Sequence, residues 1–246
     1  MGEPKEAGYF DATRHPLPCL LFVLPLLLAY EGCVNFLGGA HPEVLRNGAD
    51  NWLRTGLAAV NISMSWVPPA LLLMLFGVWC YLRRDDKPGD VVGALTGMGI
   101  ESVSYALGLW GMSWLLTPLL KSAGVEMAAG TATGANPLLQ IIPYIGAGIY
   151  EEALFRLFLF SSLAWALTKL EVFPFLGVGL AALGSATLFA TAHHIGPQGQ
   201  PYSNFLFVFR LVAGLYFALL YQARGFGIAV GAHACYNVMV SISSGG

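Results

Sequence analysis

Charged side chains are scarce in this chain. Lysine, arginine, aspartate and glutamate make up 11% of its 246 residues, whereas they make up roughly 25% of an ordinary soluble domain. Hydrophobic residues account for 56%. This shortage of charge favours a protein embedded in a lipid bilayer. The formal net charge of −2 provides no basic surface, so we expect no nucleic-acid partner.

Cysteine is also infrequent, with four residues in the chain. All four lie in apolar segments without Cys-x-x-Cys spacing, so we interpret them as small buried side chains rather than disulfides or metal ligands. They are Cys19, Cys33, Cys80 and Cys235. Long linkers, repeats and low-complexity tracts are lacking as well. We therefore predict a single integral membrane domain over residues 1–246.

Long apolar runs, in contrast, are abundant. A bilayer core about 30 Å thick requires roughly 20 apolar residues for each helical crossing. Segment 137–170 is too long for one ordinary crossing and carries Pro143 near its start, so it is either one span or a short helix followed by a full one. We predict an all-α, polytopic membrane protein of seven to eight transmembrane helices. The seven apolar segments are 17–37, 57–82, 91–118, 137–170, 173–194, 202–222 and 225–243.

The distribution of basic residues predicts the orientation, because cytoplasmic loops carry an excess of Lys and Arg. With a cytoplasmic amino terminus and a single crossing at 137–170, seven basic residues face the cytoplasm and three face the opposite side. We therefore expect a multi-pass protein of the cell membrane with its amino terminus in the cytoplasm. The seven are Lys5, Arg14, Arg83, Arg84, Lys87, Lys169 and Arg224, and the three are Arg46, Arg54 and Lys121.

Three short polar patterns interrupt the apolar segments. Ionisable side chains are costly at hydrocarbon depth and usually mark functional sites. Together the patterns supply two acids, two imidazoles, a guanidinium and a carboxamide, which is sufficient for a site that activates water. They are Glu151-Glu152-x-x-x-Arg156, Phe189-x-x-x-His193 and His233-x-x-x-Asn237.

The two acids are expected to have different roles. Neighbouring positions on a helix are about 100° apart, so Glu151 and Glu152 cannot share one direction. Glu152 and Arg156 are four residues apart and lie on nearly the same face, so we expect them to form an ion pair. Glu151 is then free to point into a polar cavity, where a carboxylate can act as a general base. The structural alternative is an ion network or a helix end at the membrane interface.

The histidines of the second and third patterns also have structural alternatives. Phe189 lies one turn before His193 and can pack against its ring, which favours His193 over His194 as the inward residue. A histidine at a helix end is, however, more often an ordinary interfacial residue. His233 and Asn237 project from one face, so they can stabilise a developing oxyanion. They can equally form a buried hydrogen-bonded pair that joins helices.

Taken together, the patterns resemble the CAAX prenyl protease and bacteriocin-processing family, also called CPBP or Abi proteins. Its motifs EExxxR, FxxxH and HxxxN are matched in order over residues 137–240. The resemblance implies an intramembrane endopeptidase of the glutamic type that needs no cofactor or metal. It implies that Glu151 and His193 activate water and that His233 and Asn237 form the oxyanion site. Glu152 and Arg156 would support that site.

The resemblance also bears on the partners. It implies a hydrophobic, lipidated or membrane-anchored peptide or protein substrate, met within the lipid bilayer. A prenylated peptide is one such substrate. A leader, a bacteriocin precursor or a terminal sorting segment is another.

Two other interpretations remain open at this point. A zinc peptidase could use His193, His233 and one glutamate as ligands, with the other glutamate as base. The spacing is unlike His-Glu-x-x-His, however, and Asn237 is not a usual zinc ligand. A transporter or a chaperone-like membrane partner is the second interpretation. It is favoured by Glu31, Glu101 and Arg210, of which the latter two could form an interhelical ion pair or part of a solute path.

Overall fold

The computed structural model describes residues 8–122, 137–196 and 199–244. Every element within these ranges is helical, which confirms the predicted all-α class. A 3₁₀ turn at Pro42–Leu45 separates the second and third helices. The helices are α1 Tyr9–Ala12, α2 Pro16–Leu37, α3 Gly48–Ala59, α4 Val67–Leu82, α5 Val91–Ser122, α6 Pro137–Gly146 continuing through Ala147–Glu151, Ala153–Phe160 and Ser161–Lys169, α7 Pro174–Ala192, α8 Asn204–Arg224 and α9 Phe226–Ser244.

Five of the described helices are long and apolar enough to cross a membrane, namely α2, α5, α7, α8 and α9. The chain is therefore a multi-pass membrane protein. The apolar run predicted over 57–82 is divided, because α3 ends at Ala59 and α4 begins only at Val67. Asn61 adopts a left-handed conformation with φ of 64° between the two helices. Helix α4 has 16 residues, fewer than the roughly 20 that an untilted crossing needs.

Helix α6 carries the acid pair and is continuous from Pro137 to Lys169. Of the two alternatives for segment 137–170, the one with a short helix followed by a separate full helix is therefore wrong. The segments Ala147–Glu151 and Ala153–Phe160 are π-helical, with i→i+5 backbone hydrogen bonds in place of i→i+4. Such wide turns place more residues in each turn and are frequent at functional sites. Both acids lie within this widened part of α6.

Close approach of the helices depends on small residues. A Cβ atom added to Gly148 in α6 would lie 2.8 Å from both the Cβ of Ala234 and the carbonyl oxygen of Val230 in α9. Helices α8 and α9 are joined by Gly225 alone, whose φ of 93° strains any residue with a side chain. This tight connection and the bare surface at Gly148 bring the final helix against the acid pair.

A buried ion network joins α2, α3 and α6. Arg46 lies 2.7 Å from Asp50 and 3.3 Å from Glu31, and Arg54 contacts the same two acids at 2.8 and 3.1 Å. The hydroxyl of Tyr150 donates to Glu31 at 2.6 Å. Burial alone lowers the pKa of Arg46, but the hydrogen bond and attraction of Asp50 outweigh burial and raise it. Because Tyr150 precedes Glu151, the network fixes this turn of α6 relative to α3.

Glu101 and Arg210 do not form the ion pair that was one of the two alternatives predicted for them. Glu101 instead forms two hydrogen bonds of 2.7 Å with Arg224, at the end of α8. Arg210 lies nearer the start of the same helix and donates to the Oε1 atom of Gln200 at 2.6 Å. Glu101 therefore has a structural partner, and Arg210 belongs to another part of the molecule.

Candidate active site

Glu151 lies where α6, α7 and α9 meet. Its side chain is mostly buried, and its Oε2 atom is 3.7 Å from the Nε2 atom of His193 and 3.7 Å from the Nε2 atom of His233. Among the described residues, Oε2 has no hydrogen-bond partner. These separations are too long for direct hydrogen bonds but allow one water molecule to contact both atoms of either pair at about 2.8 Å.

His193 follows the last residue of α7 and is oriented by its own helix. Its Nδ1 atom is 2.8 Å from the carbonyl oxygen of Phe189. A carbonyl can only accept, so Nδ1 carries the proton and the Nε2 atom of the neutral ring is an acceptor. The ring also packs against that of Phe189, with 4.7 Å between centroids. The adjacent His194 points elsewhere, because its Nδ1 contacts the carbonyl of Gln200 and its ring packs against Tyr202.

His233 is held in a similar way from the opposite side. Its Nδ1 atom lies 2.7 Å from the Oε1 atom of Glu152, and its ring stacks on Phe217 with centroids 4.5 Å apart. An ionised carboxylate can only accept a hydrogen bond, so Nδ1 is again the donor. Both imidazoles therefore direct Nε2 towards Glu151.

Glu152 and Arg156 lie behind His233 and have no solvent exposure. The Oε1 atom of Glu152 is 3.2 Å from Nη1 of Arg156, in the pairing that the i,i+4 spacing predicts. Arg156 also donates to the carbonyl of Gly214 at 3.1 Å and lies 4.4 Å above the Phe189 ring. The bond from His233 to Glu152 was not predicted. Both acids reach the His233 ring, Glu152 at Nδ1 and Glu151 near Nε2.

A cavity of about 350 Å³ gives access to these groups. Asn237 lines it one turn after His233 on α9, so the four residues predicted as catalytic border one space. An adjoining hollow of about 100 Å³ is bordered by Trp52 and Ala49 of α3. Polar and charged residues of the larger cavity are Asn47, Glu151, His193, Gln200, Arg210, His233 and Asn237.

Two residues beside the cavities, Trp52 and Gln200, were not predicted from the sequence, and a third, Arg210, was given another partner. Trp52 lies in α3, outside the three motifs. The only sequence signal for its position is the amphipathic pattern of that helix. Gln200 lies in a loop and has no motif. Arg210 was noticed as an intramembrane charge but was assigned the wrong partner.

The donor set is suited to acid–base chemistry with water. Glu151 can take a proton, and the Nε2 atoms can accept or, once protonated, donate. Within the described part of the chain, no group of three or more His, Cys, Asp or Glu side chains has an arrangement suited to a metal ion.

Comparison with known proteins identifies the segment that carries the site. Residues 133–239 match a family model described as Rce1-like, type II CAAX prenyl endopeptidase Rce1-like. No curated protein and no solved structure matches the chain. The matched segment is just under half of the chain and contains all three polar motifs. The resemblance to the CAAX prenyl protease family is thereby confirmed for this segment.

Proposed function

We propose that this chain, whose residues 133–239 match the type II CAAX prenyl endopeptidases, is a glutamic-type intramembrane endopeptidase. It hydrolyses a peptide bond in a membrane-associated substrate. The observation that supports this most strongly is the position of the Glu151 carboxylate, 3.7 Å from the Nε2 atoms of two histidines whose Nδ1 atoms are already occupied.

In this mechanism Glu151 and His193 bind one water molecule through Oε2 and Nε2. The water oxygen attacks the scissile carbonyl carbon while Glu151 takes its proton, as a general base does. The new carbon–oxygen bond leaves a tetrahedral intermediate with a negative oxygen. When that intermediate collapses, the carbon–nitrogen bond breaks and Glu151 returns the proton to the leaving amine.

His233 and Asn237 stabilise the negative oxygen. In this role His233 carries a proton on Nε2 besides the one that Nδ1 donates to Glu152, so Nε2 is a donor. The Asn237 amide projects from the same face of α9 and supplies another donor. Loss of one such donor typically lowers the reaction rate about 10²–10³-fold. Arg156 pairs with Glu152 and holds it in place.

The cellular setting follows the sequence predictions. We propose that residues 1–246 form one membrane domain with seven crossings around a polar catalytic cavity, in the cell membrane and with a cytoplasmic amino terminus. The substrate is a hydrophobic, lipidated or otherwise membrane-anchored peptide or protein. The reaction uses no cofactor.

The sequence analysis left a zinc peptidase open, with His193, His233 and one glutamate as ligands, although the described residues hold no group of three such side chains arranged for a metal ion. Metal analysis of the active, purified protein separates the two. Stoichiometric zinc, with activity that chelation removes and zinc restores, would replace the proposed mechanism. Activity that survives chelation supports the glutamic mechanism.

The function itself is tested with purified protein in lipid nanodiscs and a library of membrane-anchored peptides, some of them prenylated, with products identified by mass spectrometry. Glu151→Gln should lower hydrolysis by about 10²–10⁴-fold, the usual contribution of a general base. Glu171→Gln is the matched control, because Glu171 is an exposed acid in the turn after α6. Hydrolysis that survives Glu151→Gln unchanged contradicts the proposal.

A further inference from the structure

Arg210 is a charged residue of the cavity that the proposed reaction does not use. It lies in α8 among apolar residues and borders the same cavity as Glu151, His233 and Asn237. One arm of its guanidinium, Nη2, donates to the Oε1 atom of Gln200 at 2.6 Å. The other arm, Nη1, is shielded from solvent and has no hydrogen-bond partner in the described ranges.

Two buried arginines of this region are paired with carboxylates, whereas Arg210 is only partly buried. Arg156 contacts Glu152 at 3.2 Å, and Arg224 forms two bonds of 2.7 Å with Glu101. Arg210, in contrast, has a neutral amide as its hydrogen-bonded neighbour. A guanidinium stays charged at any attainable pH, and a cation in a poorly solvated site requires an anion. Glu151 shares the cavity and attracts the guanidinium across it, but it forms no hydrogen bond or close ion pair with Arg210, and its Oε2 atom lies nearest the two histidines.

These observations point to an anion that enters the cavity from outside. We propose that Arg210, oriented by Gln200, binds a carboxylate of the peptide substrate and thereby determines which substrates are cleaved. The inference rests on the proposed peptidase function, since it concerns the substrate of that site. A planar guanidinium suits a carboxylate, because two parallel N–H groups can bind its two oxygens.

The carboxylate can come from the free carboxyl terminus of the substrate or from an aspartate or glutamate side chain. If the carboxylate is the free carboxyl terminus, the protein removes a short carboxyl-terminal segment from its substrate. If it is a side chain, the protein is selective for an acidic residue near the cleaved bond. Both sources present the same chemical group to Arg210. Peptides that carry the carboxylate at different places are therefore needed to distinguish them.

Binding is measured with the non-hydrolysing Glu151→Gln protein in nanodiscs, by fluorescence anisotropy of one membrane-anchored peptide in three forms. The forms are a free carboxyl terminus, a terminal amide, and a terminal amide with an internal aspartate. We expect a form with a carboxylate to bind roughly 10–100-fold more tightly than the plain amide, the usual value of a charge-assisted hydrogen bond. The tighter of the two carboxylate forms identifies the source.

Arg210→Met should abolish the preference, and Arg210→Lys should retain part of it. Gln200→Leu should weaken it without removing the charge, and this variant keeps the test available if Arg210→Met does not fold. The matched control is the double variant Glu101→Gln/Arg224→Gln, which removes the ion pair that joins the end of α8 to α5, away from the cavity. It should leave the preference unchanged.

Failure of this inference is distinguishable from failure of the proposed function. Equal binding of all three peptides, or a preference that survives Arg210→Met, overturns the role of Arg210 even if the wild-type protein hydrolyses peptides. A carboxylate preference that depends on Arg210 supports the inference even if no hydrolysis is found.

Discussion

Replacement of Glu152 by glutamine tests how the buried charges support the site. Glutamine has nearly the same shape as glutamate but no charge. In the wild-type protein, the Oε1 atom of Glu152 is 2.7 Å from Nδ1 of His233 and 3.2 Å from Nη1 of Arg156, and neither Glu152 nor Arg156 is exposed. Glu152→Gln therefore leaves the Arg156 guanidinium buried without a counter-charge.

The expected loss of stability is about 3–5 kcal/mol, the cost of breaking a buried ion pair by removing one partner. Activity should fall as well, by about 10²-fold or more, because the amide places no negative charge beside the His233 ring that serves as the oxyanion donor. The double variant Glu152→Gln/Arg156→Met separates the two effects. It removes both charges and should recover most of the lost stability but not the lost activity.

Thermal unfolding in nanodiscs measures stability, and hydrolysis of the best library peptide measures activity. Two results would refute the reasoning. If the Glu152→Gln protein is as stable as the wild type, the buried Arg156 does not depend on the charge of Glu152. Full activity in the double variant would show that Glu152 serves only to neutralise Arg156 and has no effect on His233.

Three further predictions concern the surroundings of the site. His193→Ala should lower hydrolysis by about 10²–10⁴-fold, whereas His194→Ala should lower it less than about tenfold, because the second ring faces away from Glu151; equal losses would contradict this orientation. Gly148→Ala should cost about 1–3 kcal/mol of stability, since its Cβ would overlap the final helix, and an unchanged melting temperature would disprove the close contact. Tyr150→Phe removes the hydroxyl bonded to Glu31 and should cost about 1–3 kcal/mol, measured by chemical unfolding; no change would mean that the ion network does not depend on that bond.

The sequence was sufficient to predict the all-α class and the gathering of distant polar residues. The i,i+4 spacing predicted the pair of Glu152 with Arg156 because both lie on one helix. The edge-to-face contact of Phe189 with His193 is likewise a contact between residues one helical turn apart. Local spacing is reliable for such pairs, since helix geometry alone determines which side chains meet.

Contacts between helices were predicted less well. The bond from His233 to Glu152 joins α9 to α6, and the amino-acid pattern of one helix does not reveal which residue of another helix it meets. The pairing of Glu101 with Arg224 instead of Arg210 depends on how far one helix slides past another, and hydrophobic periodicity leaves that offset undetermined. The proximity of Trp52 to the site depends on the ion network that joins α3 to α6.

The central claim is that Glu151 activates water and does not itself attack the peptide bond. A single turnover in heavy-oxygen water, followed by mass spectrometry of both the product and the peptide that contains Glu151, tests it directly. The account predicts the heavy oxygen in the new carboxylate of the product and unlabelled Glu151. Heavy oxygen in the Glu151 side chain after one turnover would reveal a covalent acyl intermediate and would contradict the account.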